Sequence, residues 1–122
     1  MFYEELTLNC PPLEAKITEE KMFYRVVRNI PPKEEDFFSH KRLYPNKLYK
    51  DICQASALSI FDNFKDCKKI TKLPSFKNGE CNIGRFILNK NTGPIMKTGN
   101  NGHFSWWRTI EFKIESVEVA ND

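Results

Sequence analysis

Apolar residues fall along this chain in short bursts broken by proline, asparagine and lysine, and the period of the bursts changes along its length. KMFYRVVRNI, residues 21–30, is dense in aromatic and β-branched side chains and stops at Pro31–Pro32. It predicts a strand, central in its sheet, with an extended corner after it. PKEEDFFSHKRL places Glu34, Glu35 and Asp36 in a first turn and Lys41 and Arg42 in a last turn, an order that suits a helix dipole at both ends. A short helix over about 33–42 follows, then an irregular connection over 44–54 with Pro45–Asn46 as a turn. ASALSIFDN, 55–63, reads as a short strand feeding a helix that starts at Asp62 or Asn63. That helix carries Phe64, Cys67, Ile70 and Leu73 on one side and lysines elsewhere, and ends before Pro74.

Beyond Pro74 the pattern turns to β. Residues 75–80 read as a turn, 81–89 (CNIGRFILN) as a strand, and PIMKTG as a short edge strand. Gly99-Asn100-Asn101-Gly102 has turn chemistry. HFSWW, 103–107, and the alternating IEFKIESVEV, 110–119, read as the last strands. Residues 1–20 fit neither period and read as a partly extended arm. The expectation is an α+β fold: one small β-rich domain over 1–122 with about five or six strands and two short helices.

Composition fits that size. Ten Phe, four Tyr and two Trp provide a core without staples. Cys10, Cys53, Cys67 and Cys81 lie far apart with no C-x-x-C pair, so the reading is reduced thiols buried as small hydrophobes and no metal site. No apolar run approaches the ~18 residues of a membrane span, and acids stand where a signal peptide would be basic. The chain reads as soluble and cytoplasmic, with no membrane partner. Charge is uneven: −3 over residues 1–39, +9 over 40–108 and −3 over 109–122. The basic middle would attract an anion, but Lys65, Lys68, Lys69 and Lys72 read first as one solvated helix face rather than a nucleic-acid footprint.

Several residues stand out for chemistry. Arg25, inside an aromatic strand, must be paired or leave the sheet face. It would pair with Glu34, Glu35 or Asp36, or hold a ligand. His103, after a glycine turn, would carry a proton or bond a ligand hydroxyl, or else be a hydrogen-bonded surface group. Adjacent Trp106 and Trp107 face opposite ways on a strand, so one fills the core and the other meets a helix, ligand or partner. Ser59 reads as a small residue packed under a helix.

Three blocks in order, FYRVVRNIPPKEED, ALSIFDN and the late strands HFSWW and IEFKIESVEV, resemble the ADP-ribosyltransferase fold, particularly its bacterial toxin branch and the NAD-degrading RES type. Tyr-Arg near Pro-Pro, Leu-Ser-x-Phe and GHFSWW also resemble a group of small bacterial proteins. The matching blocks cover about 40 residues. The resemblance implies NAD as substrate and cleavage of its nicotinamide–ribose bond by a transferase or hydrolase. It gives Arg25 to the ribose or phosphate and Ser59 (Ser56 less directly) to a propping role. Tyr24, Phe61 and Trp106 or Trp107 would flank the nicotinamide. The family's Gln-x-Glu or Glu-x-Glu pair has no counterpart here; Glu111, Glu115 and Glu118 are the candidates for its catalytic carboxylate. Two other classes fit the same residues: a non-catalytic protein-interaction or immunity-type module, and a weakly nucleic-acid-binding domain.

Overall fold

The computed structural model describes residues 1–77 and 81–121. The β-branched and aromatic bursts become six strands in one antiparallel sheet: β1 Lys21–Val27, β2 Leu58–Phe61, β3 Asn82–Leu88, β4 Ile95–Lys97, β5 His103–Trp106 and β6 Glu118–Ala120. Their order is β4-β5-β2-β1-β3-β6. The expected central strand is β1, which pairs with β3 from Lys21↔Leu88 to Val27↔Asn82 and with β2 at Tyr24↔Phe61. The expected edge strand is β4. The α+β class holds in this coarse sense.

Strand alternation divides the sheet into two faces. The inner face carries Phe23, Val27, Leu58, Ile60, Phe86, Leu88 and Trp106, covered by Phe37 and Phe112. Trp106 lies nearly parallel to Phe86 at 5.7 Å and meets Phe112 edge-on at 4.8 Å. Such pairs add about 0.5–1.5 kcal/mol each beyond their buried area. The outer face carries Phe61, Ile83 and Ala120, with Tyr24 and Val26, beneath a helix. That helix, Phe64–Ile70, starts where the sequence places it: the Asn63 side chain accepts the Asp66 N–H at 2.9 Å, and Cys67 is its buried residue.

The helical segments are shorter and more numerous than the two expected. The helix predicted over 33–42 is broken in two, a 3-10 turn at Glu34–Phe37 and one α-turn at His40–Leu43. Between them Phe38 and Ser39 are extended, and the buried Ser39 caps the second piece by accepting the Arg42 N–H while its own N–H donates to Glu4. The connection over 44–54 runs into a further turn of helix, Ile52–Ala55, capped by Asp51. The turn expected over 75–80 is helical at Pro74–Lys77, and residues 78–80 lie outside the described residues.

IEFKIESVEV is not a strand along its length. Ser116 Oγ donates to the Lys113 carbonyl at 2.7 Å and Val117 N–H to Ile114, which close a 3-10 turn at Ile114–Ser116. Local bonds take the main chain away from the ladder, and only Glu118–Ala120 pairs. Alternation alone misread a segment whose Phe112, Ile114 and Val117 pack onto the inner face from a loop.

The reading of four reduced thiols is also corrected: Cys10 and Cys53 form a disulfide, joining the N-terminal arm to the Ile52–Ala55 helix. They lie 43 positions apart in the sequence, and only the folded chain brings them together. Cys67 and Cys81 are free. The arm itself lies along β4 and the end of β5, with Lys16 bridged to Ile95 and Phe2 to Thr109.

Candidate functional site

On the outer face β2 and β5 run side by side with Ser59 opposite Ser105 and Phe61 opposite His103. The diagonal brings Ser59 Oγ to 3.0 Å from His103 Nε2. His103 Nδ1 lies 2.9 Å from both the carbonyl and the hydroxyl of Thr98. A carbonyl can only accept, so Nδ1 carries the proton of the neutral ring, and Nε2 is left to accept the Ser59 hydroxyl. The bonds continue beyond the ring. Thr98 Oγ1 is 2.8 Å from Ser105 Oγ, which also accepts from Gln54 Nε2. Phe61 packs edge-on against the imidazole at 5.2 Å and fixes its plane. Ser59 is exposed and His103 half-buried, so the pair is open to solvent.

The turn that delivers His103 is pinned to the start of the Phe64–Ile70 helix. Gly102 N–H donates to Asp66 Oδ2 at 3.0 Å, and the Asp62 N–H donates to the Gly102 carbonyl. A Cβ on Gly102 would run into the ends of the Asp62 and Asn63 side chains, which would have to shift to admit it. Hydrogen bonds from Asn63 foremost, and from Gly102, hold the Asp66 carboxyl below the usual range, with Lys69 adding to the effect.

Arg25 is placed otherwise. It shares the parity of Phe23 and Val27, so its guanidinium lies on the inner face, 5.7 Å over the Phe37 ring. Nε donates to the Asp36 carbonyl at 2.9 Å, Nη2 to Phe38 at 3.4 Å and Nη1 to Ser59 at 2.8 Å. Burial lowers its pKa to about 10, and neighbouring Arg108 pushes the same way. The carboxylate of Asp36 is engaged elsewhere, accepting N–H groups from Arg28, Asn29 and Lys33. Neither Arg25–carboxylate pair nor open guanidinium is what forms. Arg25 is a strut of main-chain bonds whose third arm holds the carbonyl of Ser59.

The remaining candidates are dispersed. Tyr24 and Phe61 sit on the outer face among the residues packed under the Phe64–Ile70 helix. Both tryptophans are buried: Trp106 in the inner core, its Nε1 donating to Thr92, and Trp107 just past the end of β5, its Nε1 donating to the Cys53 carbonyl. Glu118 is in the row of His103 but on the far edge strand, four strand spacings or about 19 Å away, where it pairs with Arg85 at 3.4 Å. Glu111 and Glu115 are exposed on the segment that covers the inner face. The structure therefore brings Ser59, His103 and Phe61 together, with Arg25 behind them, and leaves the three glutamates apart.

Sequence reasoning missed Gln54, Thr98 and Ser105. Ser105 had a signal, since it lies two residues from His103 on a strand and must share its face. Gln54 and Thr98 had none, because a loop and a helical turn deliver them. A groove of about 710 Å³ lies elsewhere, lined by Phe64, Lys68, Lys72 and Phe76. Among the described residues no cluster of three His, Cys, Asp or Glu side chains is gathered for a metal, and no helix is long and apolar enough to cross a membrane. No family model, curated protein or solved structure matches the chain.

Proposed function

We propose that the chain binds a nucleotide of the NAD class, with a ribose hydroxyl seated on the Ser59–His103 pair. The observation that carries this reading is the 3.0 Å contact between Ser59 Oγ and His103 Nε2 on an exposed stretch of sheet. The Ser59 hydroxyl gives its proton to His103 Nε2, so its Oγ lone pairs are open to accept from a sugar hydroxyl. The block order resembling the ADP-ribosyltransferase fold supports the choice of ligand class. In this reading Arg25 positions the strand that presents Ser59 rather than holding phosphate. The chemistry available to the pair is proton transfer by His103. For cleavage of the nicotinamide–ribose bond, Asp62 and Asp66 stand at the Gly102 turn next to His103, whereas Glu118 lies at the far edge of the sheet.

The test is calorimetric titration of NAD into wild type, Ser59→Ala and His103→Ala, with nicotinamide release followed in parallel. The expected result is binding that weakens at least about tenfold in each variant while the melting temperature holds. A folded wild type that takes up no NAD overturns the reading.

A second reading, a protein-interaction module, is favoured by one feature. Leu8, Leu13 and Leu48 are each more than 90% exposed around the Cys10–Cys53 bridge, and residues 41–50 carry four cations and no anion. Such a surface suits a partner with an apolar groove and an acidic rim. The cytoplasm remains our proposed compartment, and under that proposal the Cys10–Cys53 disulfide is of the transient or redox-sensing kind.

A further inference from the structure

The Ile52–Ala55 helix is a single turn, far too short to persist by itself. Its Asp51 cap and the Ser56 Oγ bond to the Ile52 carbonyl close the turn on itself without fixing it to the sheet. Besides its packing on the His40–Leu43 turn and its direct run into β2, the turn has two attachments at Cys53: the disulfide to Cys10, and the Trp107 indole N–H on the Cys53 carbonyl at 3.0 Å. The next residue is Gln54. The residue is exposed, yet its side-chain amide reaches Ser105 Oγ and so enters the chain Ser105–Thr98–His103–Ser59.

We propose that Gln54 is a positioning residue for the Ser59–His103 pair and that the Cys10–Cys53 disulfide is its redox-sensitive anchor. The functional meaning of this coupling rests on the nucleotide reading given above. A dithiol reductant supplies the chemistry. Its thiolate attacks one sulfur, the Cys10–Cys53 bond breaks as a mixed disulfide forms, and the second thiol displaces the cysteine. Two electrons and two protons pass to Cys10 and Cys53, and the reductant leaves as its own disulfide. Reduction frees Cys53 from the arm, which keeps its Phe2 and Lys16 bridges to the sheet, and removes the covalent one of the two attachments at Cys53. Ser105 then loses its amide donor, the Thr98 hydroxyl reorients, and the Nδ1 side of His103 keeps only the Thr98 carbonyl. Oxidation restores the full chain and with it the ring position that meets Ser59.

The experiment reads the imidazole directly. Nitrogen NMR signals of His103 are recorded in the oxidised chain, in the chain reduced by dithiothreitol, in Cys10→Ser/Cys53→Ser and in Gln54→Ala with its disulfide verified by mass. NAD is titrated into each, and His40 serves as internal reference. The expected result is the same displacement of the His103 signals in the reduced chain, the double-serine variant and Gln54→Ala. NAD affinity should be about fivefold weaker in all three, the worth of one hydrogen bond. His103 signals that stay put on reduction of a folded chain overturn the proposal. Should reduction unfold the chain, Gln54→Ala decides, and unmoved signals there overturn it equally. Displaced signals without NAD uptake by any form support the coupling and remove the nucleotide reading. Equal NAD uptake with unmoved signals does the reverse.

Discussion

Arg25 and Arg108 divide three consecutive main-chain carbonyls between them. Arg25 takes those of Asp36 and Phe38, and Arg108 Nη1 takes that of Phe37 at 3.3 Å. These carbonyls end the 3-10 turn at Glu34–Phe37, where a helical segment leaves its acceptors without partners. Two guanidinium groups, Arg108 buried and Arg25 half-buried, supply the donors that the chain itself cannot. Arg108 is further held by Glu34 at 2.9 Å and lies 3.7 Å over the Tyr3 ring.

It follows that Arg25→Ala destabilises the fold by about 2 kcal/mol, because part-buried carbonyls lose a charged donor. Arg25→Lys recovers little of this, since a single ammonium cannot span three acceptors in different directions. Urea unfolding of the two variants checks it. A loss under about 0.5 kcal/mol would show the strut to be dispensable.

Ser59→Ala should cost little stability, as Ser59 is exposed and gives up one hydrogen bond worth about 1 kcal/mol or less. Ser59 therefore separates ligand binding from folding where Arg25 does not. Thermal melts beside the NAD titration make the comparison, and a melting temperature that drops as far as that of Arg25→Ala would contradict it.

Asp66 makes the fold acid-sensitive. Its carboxyl is held below the usual range in the folded chain, so the unfolded chain binds the proton more readily. The stabilisation is therefore full above the unfolded carboxylate value of about 4 and is lost as pH falls through the lower folded value. Wild type and Asp66→Asn should differ most near neutral pH and converge in acid. Melting temperatures measured from pH 7 to pH 2 decide the matter; a gap that stays constant with pH counts against it.

Burial pushes the Cys67 thiol up to about 12, with nearby Arg25 opposing the shift. At pH 8 it stays protonated beneath its helix, whereas Cys81 is half-buried and more accessible. Iodoacetamide on the non-reduced native chain should label Cys81 at least about tenfold faster than Cys67. Equal labelling by mass spectrometry would mean the helix opens readily.

Much of the framework was legible because it is local. Asn63 caps a helix, and the Gly99–Gly102 turn precedes β5. Each depends on residues within a few positions. Errors arose where a distant residue decided. Glu4 and Ser39 break the helix expected over 33–42, and the loop through Phe112 and Ile114 mimics a strand because its apolar residues face a core built elsewhere.

The candidate site divides in the same way. The sequence by itself determined that Ser59, Phe61 and His103 share strand parity with their neighbours, since a strand has a period of two. Only the tertiary structure decided that β5 lies beside β2, so that His103 meets Ser59, and that β6 closes the far edge, so that Glu118 does not. It also turned Arg25 inward and joined Cys10 to Cys53. The reason is physical: periodicity fixes which way a side chain points, whereas strand order and cross-links are set by how the whole chain buries its aromatic residues.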